Sequence, residues 1–180
     1  MLPFLVNLFP DKVLSPSVVD FFVKLTPSLL SDRISTPQWG LFYGMCTVMI
    51  PCGMKIGYIF GTLSPAAAIQ GNAAPREVAS KMKVTDKVFA KLQAMEEHHF
   101  ENAVFFIGGS LAAIQAGVDA STITQLQIFW IGQRVMHMLS YGGAFGNFAK
   151  PLGAAKTIFY VLAGAASASL FLAAAEKSTM

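Results

Sequence analysis

An all-α membrane protein, a bundle of four transmembrane helices behind an N-terminal amphipathic segment, is the fold class that three observations predict. The chain of 180 residues is 54% hydrophobic and only 13% charged, with mean hydropathy +0.54, a balance displaced from that of a soluble globular domain. Apolar stretches long enough to cross a bilayer follow one another, and the connections between them leave no length for a separate soluble domain. Basic residues collect in alternate connections: Arg76, Lys81, Lys83, Lys87, Lys150 and Lys156 in the first and third, and none in the short second one at 116–121. Positive charge marks the cytosolic or matrix side, so both basic connections are expected there. The net charge of +3 is modest, and a nucleic-acid partner is not expected.

The elements follow in order. Residues 1–10 lack a basic n-region, and Pro3, Pro10 and Asp11 interrupt them before any small-residue cleavage pattern, so no cleaved signal peptide is expected. Residues 1–36 are expected to form the N-terminal interfacial segment. Within it, 16–30 interleave apolar positions with Asp20 and Lys24 at i and i+4, a pattern for a short helix lying on the membrane surface. The transmembrane domain, 37–180, opens with a helix from about Trp39 to Leu63, preceded by the start signals Ser35, Thr36 and Pro37. Pro51 should kink it. Gly53, Gly57 and Gly61 recur every fourth residue, with Gly40 and Gly44 earlier, and this stripe predicts close helix contact within or between subunits. Cys46 and Cys52 are read as buried free thiols, because no oxidising loop holds them and helix geometry sends them to different faces.

Residues 64–87 carry Pro65, Gly71 and Pro75 and read as a connection outside the hydrocarbon core. The second helix runs from about Val88 to Ala116, its first half polar and its second half apolar. The third starts near Ser121 or Thr122 and reaches about Phe145, and the last spans about Leu152 to Ala175, with small residues suited to close packing. Short connections make neighbours antiparallel, which gives the four-helix bundle.

Arg134, His137 and Tyr141 fall at i, i+3 and i+7 of the third helix, so three polar groups share one stripe of an otherwise apolar stretch. An intramembrane arginine is costly unless it meets a carboxylate, water or a polar ligand. On the second helix Glu97 with Glu101, and His98 with Asn102, form two i, i+4 pairs at comparable depth, and an ion pair between Arg134 and Glu101 is the leading expected contact. Such a pair either fixes helix register or forms half of a ligand pocket, and residue types alone weigh the two equally. Tyr141 reads as an acid or hydrogen-bond donor, or as an interfacial tyrosine. Gly142, Gly143, Gly146 and Asn147 make a flexible or closely packed exit. No metal is expected, because carboxylate-bridged sites in bundles repeat a Glu-x-x-His pair on two helices and this chain does not.

Together, the four spans, the basic first connection, Glu101-Asn102 ahead of an apolar run and Arg134-x-x-His137-x-x-x-Tyr141 resemble the MAPEG family, the membrane-associated proteins in eicosanoid and glutathione metabolism. The separation of Asp86 from Glu101 is family-like, and Lys55, Asn72, Pro75 and Glu77 fit more loosely. The resemblance implies a homotrimer in which glutathione sits between subunits, held by His98, Glu101, Asn102, Arg134 and His137. Tyr141 and Lys156 would assist its thiolate in a transferase or peroxidase acting on lipophilic substrates. The endoplasmic reticulum is the implied membrane, with a mitochondrial or other organelle membrane as the alternative, and membrane lipids are the implied surroundings. Active members carry an arginine-rich run where this chain has uncharged Pro65-Ala-Ala-Ala-Ile-Gln70. The alternative is therefore a noncatalytic protein of the same fold, binding lipid or serving as a subunit of a larger membrane complex.

Overall fold

Helices account for almost all of what the computed structural model describes, namely residues 34–63, 75–141 and 155–179 together with Lys24. In chain order they are α1 (Pro37–Thr62), α2 (Pro75–Thr85), α3 (Lys87–Gln115), α4 (Ala120–Ser140) and α5 (Lys156–Ser178), with no strand among the described residues. The amphipathic segment expected at 16–30, Lys24 aside, and the glycine-rich exit after Tyr141 lie outside the described residues. Helix α2 falls inside the stretch read as a connection. Its sequence breaks at Pro75 and resumes helix-forming residues after it, with Glu77 and Lys81 paired at 2.8 Å one turn apart.

Side-chain caps set two of the starts. Asp86 accepts from the backbone N–H groups of Val88 and Phe89 at 2.8 and 3.1 Å and opens α3. Asp119 does the same for Ser121 and Thr122 at 3.0 and 3.2 Å, so α4 begins at Ala120, slightly before the serine or threonine expected to start it. Between them the chain reverses over a turn in which Gly117 has φ 71°, a left-handed conformation that side-chain-bearing residues avoid. Helices α3 and α4 thus form a tight antiparallel hairpin. Pro51 sits inside α1, which continues unbroken through it.

α5 packs along both α3 and α4 more extensively than those two pack on each other, and α1 lies against the pair. The core joins Val48, Phe106, Phe129, Trp130, Ile131, Ala163, Ala166 and Leu170, all buried. The small residues of α5 allow this approach. A methyl group added to Gly109 of α3 would lie 2.9 Å from the backbone oxygen of Ser167, so the two helix backbones nearly touch there. Gly44 does the equivalent on α1, where an added carbon would lie 2.3 Å from the Phe106 ring. Gly53, Gly57 and Gly61 behave differently: among the described residues, nothing lies within 4 Å of a carbon added at any of them. Of the glycine stripe read from the sequence, its early members contact other helices of this chain and its later members face no other described residue.

Large apolar side chains are exposed on every long helix. Phe42, Met49 and Phe60 of α1, Val104 and Phe105 of α3, Leu139 of α4, and Ile158 and Leu172 of α5 are all exposed. A soluble monomer does not spread large apolar side chains over every long helix. Among the described residues two helices, α1 and α5, are long and apolar enough to cross a membrane. α3 and α4 fall short of that mark because each carries part of a buried polar cluster, and the fourfold span count expected from sequence rests on their length. Both cysteines are free, but Cys46 is exposed on this apolar surface rather than buried, and Cys52 is half-buried.

Candidate functional site

Helical spacing delivers the α4 stripe as a unit: Arg134 and His137 are fully buried and Tyr141, capping the helix, is 7% exposed. The rings of His137 and Tyr141 meet edge to face at 5.2 Å. α3 brings His98 and His99 to the same place, with ring centroids 6.1 and 5.5 Å from His137. His99 anchors its Nδ1 on the backbone oxygen of Met95 at 2.8 Å, and its Nε2 finds no hydrogen-bond partner among the described residues. Asn102 is buried one turn further along.

α5 supplies the third wall. Lys156 places its ammonium 4.7 Å from the centre of the Tyr141 ring, and Tyr160 lies 5.3 Å from His98 and 5.9 Å from His137. An open pocket of about 190 Å³ is lined by His98, His137, Lys156, Thr157 and Tyr160. Thus the residues singled out on three different helices, His98, Glu101, Asn102, Arg134, His137, Tyr141 and Lys156, converge on one end of the bundle. Tyr160 and Thr157 were not singled out from sequence. Lys156 and Tyr160 are spaced i, i+4, and that spacing was the available signal for the tyrosine.

The expected ion pair between Arg134 and Glu101 is absent. Glu101 is exposed and turns outward, pairing with His98 at 3.2 Å and accepting a long hydrogen bond from the Tyr160 hydroxyl at 3.4 Å. Arg134 is left with Nε and both Nη atoms unpartnered among the described residues. The Nδ1 of His137 and the hydroxyl of Tyr141 are in the same condition. Buried polar groups in native proteins are almost always hydrogen-bonded, so a cluster of orphaned donors beside a pocket describes a place that water or a polar ligand completes.

A second polar cluster links α1 to α3. Lys55 pairs with Glu96 and donates to Gln93 at 3.1 Å, and both charged side chains are largely buried. Nearby, the hydroxyl of Tyr58 donates to Asp86 at 2.7 Å, which joins α1 to the cap of α3. That hydroxyl and the two capping N–H groups hold the Asp86 carboxyl below the ordinary carboxylate range. Among the described residues no group of three or more histidine, cysteine or acidic side chains could hold a metal ion.

In comparison with known proteins, the family model that matches is that of the MAPEG family, over residues 41–175. That stretch contains every residue of the pocket and of the α1–α3 cluster. No curated protein and no solved structure matches the chain.

Proposed function

Since this chain belongs to the MAPEG family, a family of membrane helical bundles, we propose that it is a four-span homotrimer whose pocket binds glutathione for attack on lipophilic substrates. Members of the family are glutathione-dependent transferases and peroxidases or accessory proteins. The observation that carries the proposal is the state of Arg134: a fully buried guanidinium, its nitrogens unpartnered among the described residues, one aromatic ring away from an open pocket lined in part by His98, His137 and Lys156. Glutathione offers two carboxylates, and an arginine fork pairs a carboxylate through two parallel hydrogen bonds. His98, Asn102, Glu101 and His137 would complete its recognition. The Lys156 ammonium would stabilise the thiolate electrostatically, and the Tyr141 hydroxyl by donating to it. The thiolate sulfur would then form a bond to an electrophilic carbon as the leaving group departs with its electron pair. The apolar outer surface suits a lipophilic partner arriving from the bilayer.

The second reading, an accessory protein without catalysis, is favoured by the uncharged run Pro65–Gln70. Titration calorimetry with glutathione on the purified oligomer in detergent separates the two. Saturable binding in the parent, weakened by about tenfold or more in Arg134→Ala, is the expected outcome, in keeping with loss of hydrogen bonds to a charged group. A parent that binds no glutathione sinks the enzyme reading and leaves the accessory one.

A further inference from the structure

What faces the guanidinium of Arg134 is aromatic. The indole of Trp130 lies 6.0 Å from its central carbon to the ring centre, and the ring of Tyr160 lies at 5.9 Å. Trp130 precedes Arg134 by one helical turn on α4, so the two side chains share a face, whereas Tyr160 arrives from α5. Trp130 is itself packed on both the core and its neighbour. It stacks on Phe106 of α3 with ring centres 4.0 Å apart and planes 18° from parallel, and both rings are fully buried. A ring face attracts a cation through its quadrupole without consuming an N–H donor. A carboxylate neighbour would have taken two of those donors.

From this arrangement we propose that Trp130 is a positioning residue for Arg134. Backed by Phe106, it is the fixed jaw of a cation–π clamp that holds the guanidinium in one plane and leaves its N–H groups for an anionic ligand. Tyr160, which lines the pocket, is the jaw that an entering anion meets. Trp130 touches no ligand itself. The ligand half of this inference rests on the glutathione reading above, and the clamp itself does not.

Fluorescence reads the clamp directly, because the chain has two tryptophans and Trp39 is half-exposed at the start of α1. In a Trp39→Phe background the emission comes from Trp130 alone. Arg134→Met should shift that emission, and an unchanged spectrum overturns the clamp whether or not glutathione binds. Glutathione should then change the same emission saturably. Trp130→Leu should raise its Kd roughly three- to tenfold, with Trp130→Phe falling between it and the parent. In an Arg134→Met background the leucine substitution should add nothing; fully additive losses would make Trp130 a packing residue only and overturn the proposal. If Trp130→Leu does not fold, the emission response and the Trp130→Phe titration still decide the matter. Emission that answers to Arg134→Met but not to glutathione sinks the pocket reading and leaves the clamp standing.

Discussion

Arg134 was legible as an anomaly from spacing alone, and its partner was not. Periodicities of three and four residues place Arg134, His137 and Tyr141 on one face whatever surrounds them. Which way Glu101 points depends on the rotation of α3 about its own axis, and no local pattern encodes that rotation. In the structure Glu101 is exposed and Glu96, about 140° around the helix from it, takes the buried ion pair with Lys55. Nor could residue type tell Tyr160 from an interfacial tyrosine. The Lys55–Glu96 pair has its own consequence: removing one partner strands a largely buried charge. Lys55→Met is expected to cost on the order of 3 kcal/mol in a detergent unfolding titration, and Lys55→Met with Glu96→Met to recover most of it. Equal losses in the single and double variants would show that the pair does not matter.

At the scale of elements, the long helices and their order were readable because hydrophobic runs and turn residues are local signals. The short α2 was missed because prolines and charge flag a connection without saying whether a helix lies inside it. The two capping aspartates lend the helices a pH dependence. Hydrogen bonding holds the Asp86 and Asp119 carboxyls below their ordinary range, led by the Tyr58 hydroxyl for the first and the Ser121 hydroxyl for the second. A carboxyl with a depressed folded pKa stabilises fully above its unfolded value, about 3.9, and that contribution is lost as pH falls through the folded value. Thermal midpoints should therefore be insensitive to these groups between pH 7 and 5 and should fall on further acidification. The paired variant Asp86→Asn with Asp119→Asn, which keeps side-chain acceptors but cannot titrate, should shallow the acid-side fall; an identical slope would remove these caps from the account.

For the whole molecule, the glycines of α1 offer a way to test folding apart from the proposed assembly. Gly44→Ala drives a carbon into the buried Phe106 ring and should destabilise each subunit by about 1–3 kcal/mol. Gly57→Leu meets nothing among the described residues, so it should leave the stability of the single chain alone and, under the proposed homotrimer, reduce the trimer fraction measured by light scattering with detergent correction. A Gly57→Leu protein that stays fully trimeric would place the subunit contacts on another face. Amphipathy and small residues in the sequence announced close contact somewhere. They could not divide it between partners inside and outside one chain, because both kinds of contact demand the same residue.

The left-handed turn at Gly117 also sets a lever. From that turn to His98 along α3 is roughly 27 Å by helical rise, and the polar cluster sits at the open end of the α3–α4 hairpin. One degree of splay at the turn therefore moves the two halves of the pocket apart by about half an ångström, on the scale that separates a good hydrogen bond from none. Helix α5, packed along both arms, braces this angle at a distance from the pocket, and Gly109 against Ser167 is where it lies close on α3.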